Sequence, residues 1–190
     1  IYDDTVIIFA SDHGSHFKTR NTDAHLNGYD DYKRSCHDAA LRVPLVIAGG
    51  PFKGGLTSEH VVSTDSLPKT ILAFAGVGDK MIGENLLDVV QEKDPNRKEE
   101  AFAQISESRV GRCIRTDKFM YSVYAPGVNG GEKGSADLYR DDFLYDLDLD
   151  PYELTNLIDN PKYTKLKLEL RERLLNWIEK AEHYRPVIED

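Results

Sequence analysis

The 190-residue chain holds only two cysteines, Cys36 and Cys113. Two thiols do not make a disulfide framework, and their spacing does not say whether they pair, so the redox compartment stays open. The sequence also lacks any apolar run approaching the ~20 residues of a membrane span, so no membrane is expected as partner. Positive charge is in deficit: 24 Lys and Arg stand against 33 Asp and Glu, a formal net charge of −9. Nucleic acid, which needs a basic face, is therefore excluded as a partner. An anionic small molecule is not, because a few local Lys and Arg outweigh a distant net charge. There are no internal repeats and no visible signal peptide. The chain begins at Ile1, almost inside a strand, as expected of a fragment or a trimmed chain.

What is present is ordinary for a globular protein: 40% hydrophobic and 30% charged residues. The length allows one core, or one core and a small satellite. The first informative stretch is Thr5 to Gly14. Thr5 to Ala10 is a short apolar run rich in β-formers, read as a strand of a parallel sheet buried on both faces. It ends in Ser11, Asp12, His13 and Gly14. Ligands of open α/β sheets bind just beyond the carboxyl ends of strands, so Asp12 and His13 are metal-competent groups at a place suited to chemistry. An Asx turn closing a strand would use the same residues. Gly14 to Tyr32 is polar and aperiodic, a loop long enough to be functional, and carries His16, Lys18, Arg20 and His25.

One helical turn is expected within Ser35 to Leu41 and a second buried strand over Val43 to Ala48. Ser66 is a plausible N-cap with Pro68 in the first turn, and Leu67, Ile71, Leu72 and Phe74 form an apolar face ending at Gly76. The charged stretch from Gln91 to Glu100, with Pro95, is the linker candidate. Beyond it the pattern turns antiparallel: a strand over Ala101 to Ser106, a hairpin of Gly111 to Thr116 and Lys118 to Tyr124, a Gly-rich loop from Pro126 to Ser135, and a strand over Asp142 to Asp146. A final helix spans about Pro161 to Glu182. Its stripe of Leu166, Leu170, Leu174, Trp177 and Ile178 is core packing.

Four segments together resemble the sulfatase family of the alkaline-phosphatase-like superfamily. They are Ser11-Asp12-His13-Gly14, Lys33 followed nine positions later by Arg42-Val43-Pro44, the stretch from Val62 to Gly76, and Leu144-Tyr-Asp-Leu-Asp-Leu-Asp-Pro-Tyr-Glu-Leu-Thr-Asn-Leu157. The last, similar to the family's closing motif, is the most specific. The resemblance spans nearly the whole chain but only the C-terminal part of a sulfatase. It implies an α/β fold: the C-terminal part of an alkaline-phosphatase-like parallel sheet, plus a four-stranded antiparallel subdomain with a C-terminal helix. The implied domains are residues 1–90 of the catalytic domain and 101–190 as the small subdomain, with the linker at about 91–100.

The implied chemistry is hydrolysis of a sulfate ester, of a small molecule or more specifically a sulfated carbohydrate. Asp12 and His13 would be metal ligands, with His13 also able to face the nucleophile or substrate. The family metal is Ca²⁺, a hard cation that prefers oxygen. An imidazole ligand also suits Mn²⁺ or Zn²⁺, the less favoured choices. Lys33 would meet the sulfate oxygens, and His16, Lys18 and Arg20 would contact substrate. Asp38 and Arg42 read as a structural pair, and His37 as a packing residue. The remaining metal carboxylates and the nucleophile would come from the missing N-terminal part of the same protein. Sulfatases carry a Cys or Ser in a Cys/Ser-x-Pro-x-Arg context, converted to formylglycine, and neither Cys36 nor Cys113 has that proline. The alternatives are a metal-dependent phosphodiesterase or phosphonate hydrolase, and a non-catalytic glycan-binding fragment. The resemblance also implies a periplasmic, secreted or lysosomal location.

Overall fold

The computed structural model describes residues 4–15, 33–77, 80–107 and 109–190. They fall into two compact units. One joins residues 1–11 to 44–101, the other residues 12–43 to 102–190. The second boundary lies at the end of the expected linker. Residues 12–43 group with the C-terminal part of the chain.

In the first unit β1 (Ile7–Ala10) pairs with β2 (Leu45–Ala48). The pairing is antiparallel, with Ile7 opposite Ala48 and Ala10 opposite Leu45. An apolar run encodes burial but not direction, which is why a parallel arrangement was the expectation. Within these 190 residues Ile7, Phe9 and Val46 are exposed, since a two-stranded ribbon does not cover its own two faces. Helix α2 (Ser66–Phe74) packs near α3 (Leu86–Val90). The cap of α2 is Asp65, not Ser66, and it makes no side-chain cap bond. The Ser66 hydroxyl instead accepts the Glu84 N–H at 3.1 Å, and Thr70 Oγ1 accepts the Leu86 N–H at 2.9 Å. These two bonds turn the polar side of α2 inward. They leave Ile71 and Phe74, part of the expected apolar face, exposed.

The second unit is built on a five-stranded sheet in the order β3-β4-β5-β6-β7, made of Glu100–Ser106, Arg109–Thr116, Phe119–Asn129, Leu138–Asp146 and Val187–Glu189. Strands β4, β5 and β6 form an antiparallel meander, and β7 adds in parallel beside β6. The expected four-stranded sheet thus has a fifth strand, too short to show a period. The turn between β4 and β5 is tied by Thr116 Oγ1, which accepts the Lys118 and Phe119 N–H groups at 3.2 and 2.8 Å. Strand β5 runs into the expected Gly-rich loop as far as Asn129. Its pairing with β4 jumps there between Gly111–Tyr124 and Arg109–Asn129, an irregularity of the kind that accommodates Pro126.

The alternation of β4 explains the packing. Val110 and Ile114 face α4 (Thr164–Glu182), where they meet Tyr121, Val123, Leu144, Leu170, Leu174 and Ile178 in one core. Cys113 faces the other way, into a second cluster with Cys36, Ile105, Met120, Phe143 and Tyr145. Burying both faces gives these strands their nearly continuous burial. One cover is the C-terminal helix. The other is the segment around the short helix α1 (Asp38–Leu41).

Candidate functional site

The segment from Ser35 to Leu41 reaches the sheet through successive side chains. Cys36 is buried beside Cys113, and both thiols are free. Their mutual hydrogen bond and burial push the Cys113 thiol well above its ordinary value, the opposite of an activated nucleophile. His37 is fully buried, its ring 4.3 Å from that of Phe143. It hydrogen-bonds the Ser35 hydroxyl, and its Nε2 lies 3.4 Å from the Tyr145 hydroxyl. Asp38 Oδ1 accepts from Arg115 Nε at 3.1 Å, and Arg42 Nη1 lies 3.9 Å from Asp38 Oδ2.

Asp38 also donates its backbone N–H to both carboxylate oxygens of Glu153, at 3.1 and 2.9 Å. Glu153 is 4% exposed. Burial pushes its carboxyl up to about 8; the Asp38 N–H opposes this, while the Asp38 and Asp150 carboxylates reinforce it. Nothing in the sequence separated Glu153 from the other acids of its segment. Its role depends on a contact 115 residues away along the chain.

On the other side of α1 lies the end of the first strand segment. Gly14 N–H donates to Ala40 O and Ser15 N–H to Ala39 O, each at 2.8 Å. The approach is so close that a Cβ on Gly14 would lie 2.2 Å from Ala39 O, which explains glycine here without any left-handed backbone. Asp12 and His13 precede this anchor. Asp12 Oδ1 accepts the His13 backbone N–H at 2.9 Å. His13 Nδ1 lies 2.8 Å from Gly14 O. A carbonyl can only accept, so Nδ1 carries the proton, and the lone pair of a neutral ring sits on Nε2. That nitrogen lies 3.6 Å from Asp12 Oδ2. Asp12 is exposed, and its carboxyl is held below its ordinary value by the His13 N–H, then by the His13 and Lys33 charges. Lys33 Nζ is 3.7 Å from Glu107 Oε2, and Arg34 Nε is 3.6 Å from Glu107 Oε1.

Asp12, His13 and Lys33 therefore lie in one unit. His16, Lys18 and Arg20 lie outside the described residues. The Asp12 oxygen and His13 nitrogen could share a cation, since two donors of one metal stand about 3.1 to 3.6 Å apart when each bond is near 2.2 Å. Among the described residues, no group of three or more His, Cys, Asp or Glu could hold a metal. Two donors fall short of the six or more that Ca²⁺ takes.

The first unit contains an open cleft of about 540 Å³, which the sequence did not suggest. Arg97 pairs there with Glu84 and Glu99, and His60 Nδ1 lies 2.7 Å from Glu99 Oε1. Asp88, Glu92 and Asp94 also line it. Its acidic wall is the wrong sign for a sulfate.

A protein-family model described as N-sulphoglucosamine sulphohydrolase, C-terminal, matches residues 27–180. The chain belongs to this sulfatase family. Among curated relatives, arylsulfatase K of Mus musculus is 28% identical over 80% of this chain and 27% of its own length. The ulvan-active sulfatase of Formosa agariphila is 28% identical over 93% of the chain and 38% of its own length. A solved structure in complex with its substrate D-glucosamine-2-N,6-O-disulfate superposes with a TM-score of 0.68 at 22% identity, covering 97% of this chain and 36% of that one. The phosphonate monoester hydrolase of Agrobacterium radiobacter superposes at 0.65 with 23% identity, covering 96% of this chain and 36% of that one. The likeness to both structures shows the alkaline-phosphatase-like fold. The chain spans about a third of the length of these relatives, and in sequence it corresponds to the C-terminal part of a sulfatase. No helix among the described residues is long and apolar enough to cross a membrane.

Proposed function

We propose that the chain is the C-terminal portion of a sulfatase that hydrolyses sulfate esters of a sulfated carbohydrate. Its nucleophile, a formylglycine, and the remaining metal carboxylates would lie in a part of the protein outside these 190 residues. The observation that carries this reading is the Asp12–His13 pair, with Oδ2 and Nε2 3.6 Å apart, in the same unit as Lys33. Asp12 and His13 would hold Ca²⁺ as part of a larger ligand set, and a bound cation supplies Lewis-acid polarisation of a sulfate oxygen. Lys33 would leave Glu107, a half-exposed and weakly bound partner, to meet negative charge on the transferring group. The Gly14 O contact keeps a proton on Nδ1, so in the neutral ring Nε2 is the nitrogen able to accept. His16, Lys18 and Arg20 would contact the sugar.

The test compares this chain with a full-length protein containing it. The full-length protein should release sulfate from sulfated glucosamines and lose that activity in Asp12→Ala. The chain alone should release no phenol from an aryl sulfate above background, and should bind Ca²⁺ no tighter than about millimolar. Micromolar binding by the chain that disappears in Asp12→Ala would overturn the shared-site reading. A full-length protein that cleaves phosphonate monoesters but no sulfate ester would replace it with the phosphonate hydrolase reading.

A further inference from the structure

We infer that Glu153 is a positioning residue: by holding the Asp38 N–H it fixes α1, whose carbonyls hold Gly14 and Ser15 and so set where Asp12 and His13 stand. The inference rests on the proposed role of Asp12 and His13, but its geometry stands apart from that role. Helix α1 has four residues, far too few to be stable by its own hydrogen bonds, so its position depends on outside ties. On the sheet side these are Glu153 to the Asp38 N–H, Arg115 to the Asp38 carboxylate, and the packing of Cys36 and His37. On the other side are the Gly14 and Ser15 bonds. Because Gly14 lies against Ala39 with no room for a methyl group, a displacement of α1 passes directly to the residues just before Gly14.

A second, independent observation singles out Glu153. Its φ is +55°, in the left-handed region that favours glycine and strains other residues. A carboxyl group is also buried there, which is a further cost. Both costs would vanish with glycine. A glutamate at this position is accounted for by the bond it makes to Asp38. The loop is braced to present it: Glu153 N–H donates to Asp150 O at 3.1 Å, and Asp150 Oδ2 accepts the Leu154 and Thr155 N–H groups at 2.7 Å.

Amide hydrogen exchange on the 190-residue chain tests this, with the Tyr121 amide of β5 as the reference for global opening. Glu153→Ala should speed exchange at Gly14 and Ser15 by about tenfold or more relative to Tyr121, as for one buried N–H left without its acceptor. Glu153→Gln, which keeps a carbonyl acceptor, should restore it. If Glu153→Ala does not fold, Asp38 gives the same test from the donor side. Asp38 is the first helical residue and follows an extended His37 (ψ 149°), so Asp38→Pro is sterically allowed. Asp38→Pro removes the N–H, whereas Asp38→Ala removes only the carboxylate. The proline variant should exchange Gly14 and Ser15 about tenfold faster than the alanine variant. Equal exchange in those two, or a change at Gly14 no larger than at Tyr121, overturns the inference. If exchange responds as expected while a full-length protein shows no sulfatase activity, the functional reading falls and the positioning role stands.

Discussion

Glu153→Gln should change the pH dependence of stability in a way that few substitutions can. In the folded chain burial raises the Glu153 carboxyl from 4.5 to about 8. An unfolded carboxyl ionises first, so between those values the folded state holds the extra proton. Stability then falls as pH rises through the window, and is flat below about 4.5 and above about 8. At about 1.4 kcal/mol per pH unit, the loss across the whole window is about 5 kcal/mol when the loop does not rearrange. Glutamine has the same shape, keeps an acceptor for the Asp38 N–H and does not titrate. The stability of the variant minus that of the parent should therefore climb by several kcal/mol between pH 5 and 8.5, whatever its starting offset. Glu99, Glu182 and Asp190, whose carboxyls are shifted down, contribute to both proteins and cancel. Urea unfolding followed by the fluorescence of Trp177, the chain's single tryptophan, gives the comparison at three or four pH values. Parallel stability curves for the two proteins would show that Glu153 is ionised in the folded state at neutral pH, and would refute the burial reasoning.

Three other outcomes are expected. Lys33→Ala should alter stability by less than about 1 kcal/mol, since its ion pair with Glu107 is half exposed, yet lower turnover of a full-length protein about 10²- to 10³-fold; unchanged turnover and KM would make Lys33 a surface residue. Gly14→Ala should cost about 1 to 3 kcal/mol, because its methyl group meets Ala39 O at 2.2 Å, and a urea midpoint equal to the parent's would mean the close approach is wrong. Arg112 is almost fully buried and donates through Nε to Glu182 at 2.6 Å, so Arg112→Met should cost about 3 to 5 kcal/mol by stranding a carboxylate, and Glu182→Leu in the same protein should recover most of it; two single-mutant costs that simply add would refute the coupling.

Legibility in the sequence followed the range of the interactions. Helix α4 was read nearly to its ends because Leu170, Leu174 and Ile178 repeat at helical spacing and all three are buried. The β4–β5 hairpin was read from Thr116 and its neighbours, a local turn. Strand β7 was missed because three residues carry no period, and its partner β6 lies more than 40 residues earlier. The inward face of α2 was misjudged because Ser66 and Thr70 are satisfied by Glu84 and Leu86, partners that helical periodicity does not register. At the candidate site, Asp12 and His13 were singled out from residue type at a strand end, and Lys33 from the resemblance to the sulfatase family. Their relation to the C-terminal sheet was not legible, since it runs through the contacts of Cys36 with Cys113 and Asp38 with Glu153.

The segment from Leu144 to Leu157 shows why the most specific stretch of a sequence need not be the most chemical. Its polar side chains are mostly committed to their own loop. Asp146 Oδ1 accepts the Asp148 and Leu149 N–H groups, each at 3.2 Å. Asn156 Oδ1 accepts the Leu144 and Ile158 N–H groups, while its Nδ2 donates to Asp142 O at 3.1 Å. Each of these bonds needs an acceptor or an amide at one position, so the loop's own geometry constrains the residue types. Glu153 differs from them, because its carboxyl group reaches beyond the loop to Asp38. The loop thus works as a bracket with one projecting group, its Leu144 and Leu157 packed in the α4 core and its Leu147 in the cluster on the other face. Substitutions at Asp150 or Asn156 would act on the candidate site only through the position they give Glu153. They would lower folding stability and the protection of Gly14 together, whereas removal of the Asp38 N–H would lower the protection of Gly14 with little change at Tyr121.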